Sequence, residues 1–238
     1  HVAADHREVM GINDRVQLAQ AEKILRRRIC HKLMREGVSV LDPDSTWIDA
    51  DVRIARDTTI LPNTQIKGQT TIGGNSVIGP SVTIQASALG EGVCVQYAVL
   101  EGATVEDGVS VGPFAYLRPG AVVGRQAKIG DFVEIKNSRI GPGTKVPHLA
   151  YVGDAEVGAN SNIGCGVITA NYDGASKQKT TIGDGVFIGS NANLVAPVRV
   201  GDNAYVAAGS TVTEDVPPRA LAIARTRQTN KADWRKKD

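Results

Sequence analysis

An apolar residue returns every six positions along most of this chain. Ile48, Ile54, Ile60, Ile66, Ile72, Ile78 and Ile84 keep the beat, then Val99, Val105, Val111, Leu117, Val123, Ile129 and Ile135, and later Ile182, Ile188, Leu194, Val200, Val206 and Val212. Gly often follows, as at Ile72-Gly73, Ile78-Gly79, Val111-Gly112, Ile129-Gly130 and Ile188-Gly189. A period of six fits neither the 3.6 of an amphipathic helix nor the 2 of an ordinary strand. It is the signature of hexapeptide repeats in a parallel β-helix, an all-β fold. Each hexad supplies one short strand and a turn, and three hexads close a triangular coil. One coil cannot bury its own core, so many must stack. Residues 48–213 then hold roughly nine coils, a prism about 45 Å tall at a strand spacing of ~4.8 Å.

The beat starts late and breaks in places. Asn13 to Glu36 contains no Pro or Gly and predicts one long helix, capped by Asn13 or Asp14 and ended by Gly37. Leu18, Ala21, Leu25, Ile29 and Leu33 form an apolar stripe on it, while Arg26, Arg27 and Arg28 fan around it. The expected role is an arm leading into the prism. Within the coils, the steps from Ile135 to Ile140 and from Val152 to Val157 are five residues, so turns are shortened there. Between Ile163 and Ile182, residues 170–177 lack the inward aliphatic pattern and must leave the prism as a loop. Loops on a rigid frame are where ligand contacts usually sit.

Composition agrees with a narrow aliphatic interior: of 238 residues, 42% are hydrophobic but only 4% aromatic. The three cysteines, Cys30, Cys94 and Cys165, are too few for a disulfide framework and point to a reducing, cytoplasmic setting. No apolar run is long enough to span a membrane, and no signal peptide is visible in the polar opening residues. The chain starts without Met, so a fragment or processed form is expected. The net charge of +2 is uneven: from Arg219 onward seven Lys and Arg face only Asp233 and Asp238. Such a tail is either a solvated end or a cationic arm for a phosphorylated ligand. Without interleaved aromatics it does not suit nucleic acid.

Against this repeat, a few polar residues stand out. His148 is the only histidine in the coils, in Lys145-Val146-Pro147-His148-Leu149-Ala150-Tyr151. It is either a turn residue or a general base, a role that suits a reference pKa of ~6.5. Arg118 and Lys136 lie 18 residues apart, one full coil, so they stack vertically. Two stacked cations make a phosphate or carboxylate clamp, against the plainer reading of two solvated charges.

Further motifs carry a specific resemblance: Val152-Gly153-Asp154-Ala155, Asn162-Ile163-Gly164, Asn171-Tyr172-Asp173-Gly174, Ile188-Gly189-Ser190 and Leu194-Val195-Ala196-Pro197. With them, and with Gly11-Ile12-Asn13-Asp14-Arg15-Val16-Gln17-Leu18 ahead of the coils, the chain from about Val9 to Trp234 resembles the C-terminal half of one family. That family is the bacterial bifunctional N-acetylglucosamine-1-phosphate uridyltransferase / glucosamine-1-phosphate N-acetyltransferase. The resemblance implies four segments. Residues 1–12 would be a remnant of an upstream nucleotidyltransferase domain, 13–37 a linker helix, 38–216 a left-handed β-helix acetyltransferase domain and 217–238 a basic tail.

The activity implied is acetyl transfer from acetyl-CoA to the amine of glucosamine-1-phosphate, in a cytoplasmic homotrimer with sites between subunits. Its product feeds UDP-N-acetylglucosamine synthesis for peptidoglycan and lipopolysaccharide. Carried over by position, His148 is the general base, with Glu134 as a supporting carboxylate. Arg118, Lys136, Tyr151, Asn162 and Lys177 hold the sugar phosphate. Cys165, Asn171, Tyr172, Ser190, Ala208 and Arg225 meet acetyl-CoA. Cys165 departs from the family, which usually carries a small Ala there. Asn13 matches a Mg²⁺ ligand of the uridyltransferase domain, whose other ligands lie upstream, so uridyl transfer is not expected of this chain alone. Neither nucleic acid nor membrane is an expected partner. The alternatives are another hexapeptide acyltransferase and a non-catalytic trimerising scaffold. One histidine in the coils does not supply the three-histidine zinc site of a β-helical carbonic anhydrase.

Overall fold

Most strands here are two or three residues long, and in nearly all of them the residue that keeps the six-beat points inward. In the computed structural model, which describes residues 6–232 and 234–235, these strands wind into one left-handed parallel solenoid of about 10 turns. Among the described residues three flat sheets form the faces of the prism. The first face has 11 strands, from Ser39–Val40 to Leu221–Ala222. The second has 10, from Trp47–Ile48 to Thr211–Val212, and the third has 9, from Arg53–Ile54 to Val198–Val200. Every strand pairs in parallel with the strand one coil away, so Ile60, Ile78, Val95, Val111 and Ile129 line up in register on the first face.

The inward ladder is dry. Ile60, Ile66, Ile78, Ile84, Leu100, Leu117, Ile129 and Ile135 are all fully buried. Burying each such side chain stabilises by roughly 1.5–3 kcal/mol. A second buried position precedes these large residues by two and takes smaller side chains, such as Thr58, Thr64, Ser76, Ala98, Ala115 and Ala127, or a valine, as at Val82, Val93 and Val133. The Thr and Ser hydroxyls satisfy the backbone: Thr58 Oγ1 donates to the Gly73 carbonyl at 2.9 Å, and Ser76 Oγ accepts from the Val93 N–H at 3.1 Å. The alternation of large and small inward residues lets coils close into corners without voids.

One expectation needs correction. Val99 does not face inward: it is 38% exposed, and Leu100 fills the core at 0%. The inward steps from Ile84 to Leu89, from Val95 to Leu100 and from Leu100 to Val105 are five residues, because corners there are one residue shorter. With Val and Leu adjacent, composition alone could not fix the phase. The helix, α1 (Arg15–Arg35), is capped by Asp14, whose side chain accepts from the Gln17 N–H at 2.8 Å. Its stripe does not pack throughout, since Leu18 and Leu25 are exposed. Only Ile29, Cys30 and Leu33 at its C-terminal end join the core, with the Arg26 guanidinium 4.6 Å above the Trp47 ring.

The coil also runs past residue 216, because Leu221–Ala222 pairs with Tyr205–Val206. Residues 1–5, from the expected remnant, and 233 and 236–238, from the basic tail, lie outside the described residues. No described helix is long and apolar enough to cross a membrane.

Candidate active site

Stacking turns sequence spacing into columns. Along the edge where the first face meets the second, the coil corners present Asp131, His148, Cys165, Ser190 and Ala208 in turn. Backbone bonds hold that column: Leu149 N–H to Asp131 O and Gly166 N–H to Leu149 O at 2.8 Å, Asn191 N–H to Cys165 O at 2.7 Å, and Gly209 N–H to Ser190 O at 2.8 Å. Arg225 reaches the same edge, with its Cδ beside Gly209. Thus His148 and four of the residues expected to meet acetyl-CoA share one line. Below His148 the edge is apolar and exposed. The Tyr97, Phe114 and Phe132 rings follow one another at centroid distances of 5.8 and 5.3 Å.

His148 Nδ1 lies 2.6 Å from Asp131 Oδ1. The hydrogen bond from His148 is the main reason the Asp131 carboxyl sits below its ordinary range. The imidazole remains 57% exposed, so it is open to a ligand. Asp131 was not among the expected residues; Glu134 was expected as the supporting carboxylate. The structure turns Glu134 elsewhere, its Oε1 accepting from Arg118 Nη1 at 2.8 Å.

Arg118, Glu134, Lys136 and Tyr151 occupy the second face. Pairings of Leu117 with Ile135 and of Glu134 with Tyr151 stack them one coil apart. The Arg118 guanidinium lies 5.8 Å from the Tyr116 ring centroid, and its bond to Glu134 raises its pKa above the usual arginine value. Where the second face meets the third, Lys136 Nζ stands 3.9 Å from Asp154 Oδ2. Asp154, only 13% exposed, also accepts from Asn137 Nδ2 at 2.6 Å and Asn171 Nδ2 at 2.5 Å. Burial pushes its carboxyl up, but those two amides and the charges of Lys136 and Lys177 outweigh it, and the net direction is down. Lys177 is held below the usual lysine value, chiefly by its contact with Lys136. A groove of about 400 Å³, lined in part by Asn137, Asp154, Glu156, Lys177 and Lys179, runs beside this cluster. A larger cavity of about 770 Å³ lies between α1 and the base of the prism and touches none of these residues.

Residues 171–179 leave the prism between Ile168–Ala170 and Thr180–Ile182, as the broken beat predicts. The loop is a small hairpin, with Tyr172 bridging Lys177. Asp173 Oδ1 accepts from the backbone N–H groups of Ala175 and Ser176 at 2.8 and 2.7 Å, and its pKa falls to about 2, led by the Ser176 bond. Tyr172 is exposed, while Asn171 is tied to Asp154 and so stands with the second-face cluster, away from Ser190 and Ala208. Asn162 sits on the first face, paired with Lys145 and Phe187. One chain therefore does not bring Asn162 together with Arg118, Lys136 and Tyr151. Asn13 precedes α1, its N–H bonded to Gln17 Oε1 at 2.6 Å. No group of three or more His, Cys, Asp or Glu that could hold a metal ion exists among the described residues.

The repeat family described as "Bacterial transferase hexapeptide (six repeats)" matches residues 51–86, 102–137 and 179–214. These stretches cover coils on both sides of the segment bearing His148, Tyr151, Asn162 and the loop, and not that segment itself. Similarity to whole proteins does cover it. The chain is 58% identical over 235 residues to the bifunctional protein GlmU of Brevibacillus brevis, covering 99% of this chain and 51% of that protein. It is 58% identical over 233 residues to the GlmU of Caldanaerobacter subterraneus subsp. tengcongensis, covering 98% and 51%. The chain is a homologue of the GlmU proteins. It spans about half the length of the curated relatives it matches. A UDP-N-acetylglucosamine acyltransferase of Arabidopsis aligns at a TM-score of 0.53 over 78% of this chain and 65% of that one, at 14% identity, a shared fold.

Proposed function

We propose that this chain transfers the acetyl group of acetyl-CoA to the amine of glucosamine-1-phosphate, giving N-acetylglucosamine-1-phosphate for UDP-N-acetylglucosamine synthesis. It does so in the cytoplasm as a homotrimer with sites between subunits. The observation that carries this reading is the exposed, carboxylate-bound imidazole of His148 beside a face on which Arg118, Lys136 and Tyr151 stack. Arg118 and Lys136 bind the sugar phosphate, with Tyr151 alongside and Asn162 and Lys177 completing the contacts. Acetyl-CoA lies along the edge of Cys165, Ser190 and Ala208, its phosphates toward Arg225, with Asn171 and Tyr172 closing over it.

His148 takes a proton from the acceptor ammonium, and the freed amine attacks the thioester carbonyl. The tetrahedral oxyanion collapses, the C–S bond breaks and CoA thiolate leaves, taking up the proton that the new amide nitrogen sheds. Because the thiolate is a good leaving group, the chemistry needs positioning and one base, with no covalent enzyme intermediate. Two geometric facts support sharing between subunits. Asn162 faces outward from a different side of the prism than Tyr151, and Asn171 stands on a different edge from Ser190. A ligand as small as a sugar phosphate meets both Asn162 and Tyr151 only if two copies contribute.

The test is release of free CoA thiol from acetyl-CoA with glucosamine-1-phosphate, glucosamine, serine or no acceptor. Release that depends on glucosamine-1-phosphate and drops by about 10²–10⁴ in His148→Ala is the expected result, the usual span for a general base. A folded protein that releases no thiol with any acceptor returns the chain to the scaffold alternative.

A further inference from the structure

Two strands of the first face, Lys128–Asp131 and Lys145–His148, run to four residues where their neighbours have two or three. The added length sets Asp131 directly opposite His148 in the parallel ladder. The approach depends on Gly130: a Cβ there would stand 1.8 Å from the Pro147 carbonyl oxygen. Two side chains leaving adjacent coils at paired positions project the same way, and Oδ1 meets Nδ1 at 2.6 Å.

Charge decides which atom donates. The Asp131 carboxyl lies below its ordinary value, first through the bond from His148, then through a backbone N–H, and also through the charge of Lys128. It is ionised at neutral pH and can only accept. Nδ1 therefore carries the proton, and in the neutral ring Nε2 is the bare nitrogen. A free imidazole in water prefers the opposite tautomer, so this bond reverses the solution preference.

We propose that Asp131 is a positioning residue for acetyl transfer, fixing His148 as the Nδ1–H tautomer so that Nε2 receives the proton of the acceptor amine. The proposal rests on the acetyltransferase reading above. The ammonium proton passes to Nε2 and frees the amine. As the N–C bond forms and the C–S bond breaks, the excess proton on the new amide nitrogen goes to the departing sulfur, and the imidazolium gives its proton to water and is neutral again. Asp131 stays ionised throughout and steadies the imidazolium between those steps.

The experiment pairs steady-state kinetics with ¹⁵N spectroscopy of the imidazole nitrogens, on wild type, Asp131→Ala, Asp131→Asn and His148→Ala. Neutral His148 in the wild type should carry its proton on Nδ1. In Asp131→Ala the proton moves to Nε2, and kcat falls at least about tenfold but by no more than the ~10²–10⁴ that a general base contributes, with KM for both substrates unchanged. Asp131→Asn keeps an acceptor oxygen, so it retains the Nδ1–H tautomer and an intermediate kcat. A wild-type spectrum with the proton on Nε2 overturns the proposal even if the alanine variant does not fold. So does a folded Asp131→Ala with unchanged kcat and tautomer. Full activity in His148→Ala would instead sink the general-base reading itself, a different failure from that of Asp131.

Discussion

At the scale of single residues, buried charge is tolerable here only where donors surround it. Asp154 illustrates this: two amides and two ammonium groups hold its carboxyl below the ordinary value although burial works against them. A depressed folded pKa stabilises fully above the unfolded value, ~3.9 for Asp, and the contribution is lost as pH falls through the folded value. Asp154→Ala should therefore destabilise by about 1–3 kcal/mol at pH 7, the cost of orphaning its donors. Urea unfolding at pH 7, 5 and 3 should show the gap to wild type close only at the acid end. A gap independent of pH would refute the electrostatic account. Spacing made Arg118 and Lys136 legible, because one coil is 18 residues, and His148 stood out as the only histidine in the coils. Asp131 obeys the same rule at 17, in a coil with a shortened turn, but the carboxylate expected beside the base was Glu134. Asp154 was visible only as part of a motif, since its partners come from the two coils on either side of its own.

At the scale of elements, each strand is too short to hold its own geometry, so contact between coils sets everything. Gly130 is the sharpest case, its missing Cβ facing a backbone oxygen that cannot rotate away. Gly130→Ala must part the coils locally, with an expected cost of about 1–3 kcal/mol from overpacking. It should lower kcat as well, because the same strands carry Asp131 and His148. Gly92→Ala is the control: its φ of 63° strains the new residue, but nothing lies within 4 Å of the added carbon. Thermal melts should move in both variants, while kcat should fall only in Gly130→Ala; equal kcat in the two would uncouple the approach from the site. Elements were legible where one apolar residue stood alone in its hexad. They were misread where two stood together, at Val99 and Leu100.

At the scale of the whole molecule, a triangular prism forces its outward residues to diverge. Asn162 on the first face and Arg118 on the second cannot close on one sugar phosphate within a single chain. The proposed trimer removes the conflict, because a neighbouring copy can bring its first face against this chain's second. The outward positions fit such an arrangement. The edge between those faces carries the exposed ladder of Tyr97, Phe114 and Phe132, and the first face carries the stacked Phe187 and Tyr205 rings. The third face instead carries charged pairs such as Glu156 with Lys179. Sequence reading could not reach this division, since the beat reports what points inward and is nearly silent about what points out. Complementation tests it. Arg118→Ala loses half of the phosphate clamp, and Asn162→Asp sets a carboxylate against the phosphate, so each protein alone should be nearly inactive. Co-expressed in equal amounts, they form mixed assemblies in which some sites draw Arg118 from one chain and Asn162 from another. Random mixing makes about one site in four intact in a closed symmetric oligomer, so roughly a quarter of wild-type activity should return. If both residues served one site from the same chain, no intact site could form at any mixing ratio, and activity would stay at the level of the separate variants.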